Sequence, residues 1–126
     1  MSQNILIVDD EPNIVISLEF LMKREGFLVT VAVDGEEALH KIAEIQPDLV
    51  LLDIMMPKKS GFEVCQEIRA NPAWASIKIV MLTAKGRDTE AQKGMALGAD
   101  AYVTKPFSTR DLVARVRSVL HLDSTA

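Results

Sequence analysis

The chain has 126 residues, 48% of them hydrophobic and 25% charged, which is room for one domain with a single core and gives no sign of disorder or low complexity. A net charge of −4 argues against direct nucleic-acid binding and against docking on an anionic membrane, because both reward clustered Lys and Arg. Cys65 is the lone cysteine, so an intrachain disulfide and a Cys-rich metal site are excluded. No N-terminal basic segment followed by an apolar signal core is present and no apolar run approaches membrane-spanning length, and the protein is expected in the cytoplasm.

Short apolar runs alternate with longer segments of helical period, the pattern of βα units around a parallel sheet. The first strand is expected over Asn4–Asp9. A helix then starts at Pro12, whose fixed φ and missing donor suit a first turn, carries Ile14, Leu18, Leu21 and Met22 on one stripe, and stops at Gly26. Strands over Leu28–Val33 and Asp48–Asp53 are each followed by a helix, Gly35–Ile45 and Phe62–Asn71. Asn71-Pro72-Ala73-Trp74 reads as a loop with Trp74 covering apolar surface. Strands over Ile77–Thr83 and Asp100–Thr104 precede helices over Thr89–Leu97 and Thr109–Leu120. In the last helix Leu112, Val113, Val116 and Leu120 make the apolar face and leave Arg110, Arg115 and Arg117 to solvent.

Right-handed crossovers with helices on both faces favour an α/β fold of flavodoxin-like type, a doubly wound five-stranded parallel sheet of order 2-1-3-4-5 with five helices. No repeat or linker divides the chain, so residues 1–126 are expected to form one domain with a core from about 4 to 121. All strand C-termini of such a sheet lie on one edge, with a crevice between strands 1 and 3. On that edge the apolar runs end in Asp9-Asp10, Asp53, Thr83 and Lys105-Pro106.

Three clustered carboxylates repel one another and need a cation or a raised pKa to coexist. Mg²⁺ suits them, since it prefers oxygen ligands and keeps places for water and phosphate. Asp53, on a rigid strand end, can then act as nucleophile toward a phosphoryl group, with Lys105 supplying charge and Thr83 a hydroxyl. Singly, each residue has an ordinary structural role open to it: a helix N-cap for Asp9 or Asp10, a strand end for Thr83, an exposed turn for Lys105-Pro106. Their joint placement is what points to phosphoryl chemistry.

The chain resembles the receiver domain of two-component response regulators from Asn4 to about Leu120. The resemblance is carried by Ile7-Val8-Asp9-Asp10-Glu11, Leu51-Leu52-Asp53-Ile54-Met55-Met56-Pro57 with Gly61, Met81-Leu82-Thr83-Ala84, and Gly98 through Phe107 with Lys105-Pro106. The chemotaxis receiver is itself a type example of the 2-1-3-4-5 order, so that order is partly implied by the likeness. The resemblance implies that Asp53 accepts a phosphoryl group from a sensor histidine kinase or a histidine phosphotransfer protein. It implies Mg²⁺ held by Asp10, Asp53 and the Met55 carbonyl, with Asp9 acting through water. Lys105, Thr83 and the Ala84 amide would bind the phosphoryl oxygens, and Lys105-Pro106 would be a cis peptide. Thr83 and Tyr102 would form the switch, reshaping the face of helix 4, strand 5 and helix 5 for a downstream effector protein. On this likeness the domain is a signalling switch with Mg-dependent autophosphorylation and autodephosphorylation, rather than an enzyme with an external substrate.

Three positions are particular to this chain. Met55 is apolar and Lys85 is no base when protonated, so neither side chain can activate attacking water, and a comparatively long-lived phosphoryl state is expected. Ala101 stands where an acidic residue often helps a symmetric dimer, leaving Lys93, Asp100, Arg115 and Arg117 as candidates for cross-subunit pairs. A dimer through helix 4, strand 5 and helix 5 stays open. Cys65 is expected to pack on a helix face, His40 and His121 lack a third metal ligand, and the six Met residues are expected mostly as core filler.

Three other readings compete. An aspartyl-phosphate phosphohydrolase of haloacid-dehalogenase type would need an Asp where Met55 stands. A flavin-binding carrier would need a Ser/Thr/Gly-rich phosphate loop where Asp9-Asp10-Glu11-Pro12 stands. A degenerate receiver acting only as a protein-binding module would not need the full acidic set. Ala126 follows closely on the fifth helix, which leaves open whether the domain acts alone or within a longer regulator.

Overall fold

A computed structural model of the chain describes residues 3–84 and 86–121. Its elements are β1 (Asn4–Val8), α1 (Pro12–Arg24), β2 (Leu28–Ala32), α2 (Gly35–Ile45), β3 (Leu49–Asp53), α3 (Gly61–Ala70), a single 3-10 turn (Pro72–Trp74), β4 (Lys78–Ala84), α4 (Asp88–Ala96), β5 (Ala101–Lys105) and α5 (Thr109–Val119). The strands form one sheet in the order β2-β1-β3-β4-β5, every neighbouring pair parallel. Fold and strand order agree with the sequence reading.

The two-residue alternation of a strand divides the core in two. Leu6, Val8, Val50, Leu52, Ile79 and Met81 face α2 and α3, meeting Ala38, Ile42, Val64, Cys65 and Ile68. Ile5, Ile7, Leu49, Leu51, Val80 and Leu82 face the other way, against Leu18, Leu21 and Met22 of α1 and Leu112 and Val116 of α5. β3 is therefore buried along its whole length, which explains its unbroken apolar run. Gly94 lets α4 approach Met81 on the first of these faces.

Local chemistry sets the ends. Pro12 opens α1 without a side-chain cap. The Asp34 carboxylate accepts from Glu37 N (2.8 Å) while the Glu37 carboxylate accepts from Val33 N (2.7 Å), closing the start of α2 from both sides. That amide bond holds the Asp34 carboxyl below its ordinary range. On α3, Ser60 and Glu63 make a full capping box, each side chain accepting from the other's backbone amide, and Ser108 caps α5 through Asp111 N. Asn71 accepts from Ala73 N, so the expected loop tightens into the 3-10 turn, with Trp74 partly buried against the core.

Several side chains depart from expectation. Arg117 is not free in solvent: its guanidinium donates to the Glu25 carboxylate at 2.9 and 3.1 Å and lies over the Phe27 ring, tying α5 to the end of α1. Arg110 and Arg115 are exposed as expected. Asp100 is likewise engaged within the chain, accepting from Arg69 Nη2 and Ile79 N, both at 2.8 Å. Arg69 also donates to the carbonyls of Gly98 and Ile77, and Lys93 lies over the Phe62 ring at 4.5 Å. Of the four candidates for cross-subunit pairs, only Arg115 lacks such an internal contact among the described residues. Met22 and Met81 are core filler, whereas Met55 and Met95 are on the surface. Cys65 is buried as expected, its thiol pushed up in pKa by burial and its Sγ directed at the Leu97 carbonyl. No helix among the described residues is long and apolar enough to cross a membrane.

Candidate functional site

The C-terminal edge of the sheet gathers the polar strand ends. Asp9 follows β1 directly and Asp53 is the last residue of β3, so the pairing of these two adjacent strands fixes their separation. Lys105 is the last residue of β5 and lies level with Ala84 at the end of β4. The strand ladder thus presents four elements to one crevice.

Asp9 is fully buried: its Oδ1 accepts from Glu11 N at 2.9 Å and its Oδ2 from Lys105 Nζ at 3.0 Å. Lys105 Nζ also lies 3.3 Å from Asp53 Oδ1 and 3.5 Å from Glu11 Oε1. One ammonium group therefore faces three carboxylates. Asp10 is exposed, and Asp9, Asp10 and Asp53 each offer an oxygen within 4.8 Å of the others. This is the one group of three potential metal-ligating acids found among the described residues.

These contacts do not neutralise the cluster. Burial pushes the Asp53 carboxyl up to about 6, the Asp9 charge adds to the rise, and Lys105 offsets only part of it. Burial also works against the charge on Lys105, but its hydrogen bond to the Asp9 carboxylate and the Asp53 charge outweigh it, and its pKa is raised. A compact set of carboxylate oxygens that retains excess negative charge fits a hard divalent cation such as Mg²⁺.

Thr83 is buried and Ala84 exposed at the end of β4, beside this edge. Tyr102 pairs with Met81 in the β4–β5 ladder, so by alternation it shares a sheet face with Thr83, and it is 43% exposed. Met55, 70% exposed, lines the cleft over Asp53. Lys105-Pro106 is cis, as anticipated. Lys85 lies outside the described residues.

That cleft has a volume of about 200 Å³, and Glu11, Arg87 and Glu90 line it beside Asp53 and Lys105. Sequence reasoning did not single out Arg87 or Glu90. The signal was their position just after β4, since loops following parallel strands border the crevice. A larger groove of about 720 Å³ runs between β5 and α5, walled by Tyr102, Phe107 and Arg115 among others. None of Asp9, Asp10 and Asp53 borders it.

The response regulator receiver domain matches residues 5–117 of this chain. A crystal structure of a Chloroflexus aurantiacus protein described as a response regulator superimposes with a TM-score of 0.93 at 35% identity, covering 96% of this chain and 99% of that one. The chemotaxis protein CheY4 of Vibrio cholerae gives 0.88 at 30% identity over 94% of this chain and 99% of its own. The receiver domain of the sensor histidine kinase PA1611 from Pseudomonas aeruginosa, with magnesium coordinated in its active-site cleft, gives 0.88 at 26% identity over 96% and 99%. The sheet order, the acidic crevice and a family match spanning nearly the whole fold agree, and the chain belongs to the response regulator receiver domain family.

Proposed function

We propose that this receiver domain takes a phosphoryl group on Asp53 from a sensor histidine kinase or a histidine phosphotransfer protein and thereby changes the surface offered to an effector protein. The observation that carries the proposal is the convergence of Asp9, Asp10 and Asp53 within 4.8 Å, with Lys105 bridging two of them. An Asp53 carboxylate oxygen attacks the phosphorus of the donor. The new O–P bond forms as the bond to the donor nitrogen or oxygen breaks, and the leaving group departs with the electron pair. The phosphoryl oxygens are then held by Lys105, the Thr83 hydroxyl and the Ala84 amide.

Asp9, Asp10, Asp53 and the Met55 carbonyl would hold Mg²⁺, which when bound supplies positive charge to offset the carboxylates and the phosphoryl oxygens. Burial of Asp9 fits a role in orienting that site rather than in meeting the donor. For the switch, the phosphoryl group on Asp53, about one net negative charge more than the carboxylate it replaces, draws Thr83 toward its oxygens, and Tyr102 follows on the same face. The setting is cytoplasmic and needs neither nucleic acid nor a membrane.

The test is intact mass after incubation with acetyl phosphate and Mg²⁺. One phosphoryl adduct is expected in the wild type, with none in Asp53→Asn or in EDTA. If the wild type binds beryllofluoride but gains no mass, donor choice is at fault; if it does neither, the domain is a degenerate receiver that acts by binding alone.

Decay of the adduct tests the phosphoryl lifetime. Met55 overhangs the cleft with an apolar side chain that cannot orient water, so Met55→Asn is expected to speed autodephosphorylation by about three- to tenfold. An unchanged decay rate would remove Met55 as a determinant of lifetime.

A further inference from the structure

The charge count around the cleft leaves a deficit that Lys105 cannot cover. Its ammonium is already shared among Asp9, Asp53 and Glu11 at 3.0, 3.3 and 3.5 Å. A phosphoryl group on Asp53 carries about −1.5 to −2 in place of the single carboxylate charge, a net gain of about 0.5 to 1 negative charge spread over three further acceptor oxygens. Among the described residues lining the cleft, the other cation is Arg87, at the residue that precedes the first turn of α4.

Arg87 is loosely held. Its guanidinium makes one side-chain contact, Nη1 to Glu90 Oε2 at 3.3 Å, and its side chain is 62% exposed. An exposed pair of this kind contributes little, so exchanging its acid partner for another anion is cheap. The planar guanidinium presents paired donors that match phosphate oxygens, which a carboxylate reached by one nitrogen does not use. Glu90 lines the same cleft and is the more buried partner, at 20%. Once Arg87 leaves it, Glu90 stands unpaired beside the added negative charge.

From this arrangement we infer that Arg87 is a phosphoryl-binding residue that exchanges Glu90 for the phosphoryl group on Asp53. The exchange transmits the charge at Asp53 to the first turn of α4, because Arg87 and Glu90 flank that turn and the Arg87 carbonyl accepts from Glu90 N and Ala91 N. The inference rests on Asp53 as the phosphoryl acceptor, and it predicts opposite effects for the two partners. Removing Arg87 loses a ligand. Removing the Glu90 charge frees one.

The experiment is the initial rate of phosphoryl incorporation from acetyl phosphate with Mg²⁺, followed by intact mass in the full chain at low and high salt. Arg87→Gln is expected to be slower than wild type by about three- to tenfold at low salt, with a smaller gap at high salt and partial recovery in Arg87→Lys. Glu90→Gln is expected to match or exceed wild type. Equal rates for wild type and Arg87→Gln overturn the assignment and leave Asp53 as acceptor untouched. Slowing in Glu90→Gln comparable to that in Arg87→Gln also overturns it, because Glu90 would then be holding Arg87 in its working position. A wild type that neither takes up a phosphoryl group nor binds beryllofluoride removes the Asp53 reading, and the Arg87 exchange with it.

Discussion

In EDTA at pH 8, Asp53→Asn should unfold at a higher temperature than the wild type, although on the proposed function the same substitution should abolish phosphoryl uptake. The Asp53 carboxyl is raised to about 6 by burial and by Asp9, against about 4 in an unfolded chain. A carboxyl whose folded pKa lies above its unfolded value penalises the fold at every pH above the folded pKa. That penalty is relieved as pH falls through about 6, because the native state then takes up a proton that the unfolded chain does not hold. Two units correspond to about 3 kcal/mol as an upper limit. Asparagine keeps the shape and removes the repulsion but also loses the Lys105 contact at 3.3 Å, so a gain of about 1 to 3 kcal/mol, or several degrees, is expected. Thermal melts at pH 8 and pH 5 check both parts: the gap should shrink at pH 5. Mg²⁺ should narrow it at pH 8 by stabilising the native wild type through binding. Equal melting temperatures at pH 8 would show that Asp53 bears no penalty.

Gly61→Ala is expected to be the most damaging single-methyl change near the crevice. Gly61 opens α3, and its amide donates to the Ile54 carbonyl at 2.8 Å. A Cβ there would collide with the Asp53 carbonyl oxygen and come within 2.9 Å of the Ile54 Cα. Both obstacles are backbone and cannot turn aside as a side chain can. The reason for glycine is thus space rather than dihedral freedom, in contrast to Gly26, whose φ is +92° with open space around it. Relief requires the segment from Asp53 to Gly61 to move, which drags the Asp53 carboxylate and the Met55 carbonyl with it. A loss of about 2 to 4 kcal/mol is expected, together with slower phosphoryl uptake in the fraction that stays folded. Urea unfolding and the mass assay measure the two separately. A loss below about 0.5 kcal/mol would mean that the loop yields freely.

Much of this arrangement could be read from the chain because topology does the addressing. In a parallel sheet, the first polar residue after an apolar run has its place decided by the strand, so Asp9, Asp53, Thr83 and Lys105 could be brought together without coordinates. Strand ends were less legible. β1 was expected to include Asp9, but the β1–β2 ladder closes at Val8 and Ala32, and Asp9 keeps only a last amide bond to the Ala32 carbonyl. Its carboxylate instead turns to Glu11 N and Lys105. The Arg117–Glu25 pair was invisible because it joins residues 92 apart and depends on how α5 settles on α1. Arg87 and Glu90 escaped notice for a related reason: whether a side chain after β4 reaches the cleft depends on where α4 begins, which helical period does not reveal.

The Arg69 bonds described with the fold give the β4–β5 pair two unlike supports. At the amino ends of these strands, one guanidinium grips the carbonyls of Ile77 and Gly98 and the Asp100 carboxylate, while Asp100 also accepts from Ile79 N. None of these groups belongs to the crevice. At the carboxyl ends the restraint is Lys105 on Asp9 and Asp53, whose strength changes with any charge added at Asp53. A charge added at Asp53 would therefore act on the restraint at the carboxyl ends alone and leave the bonds that hold the amino ends as they are.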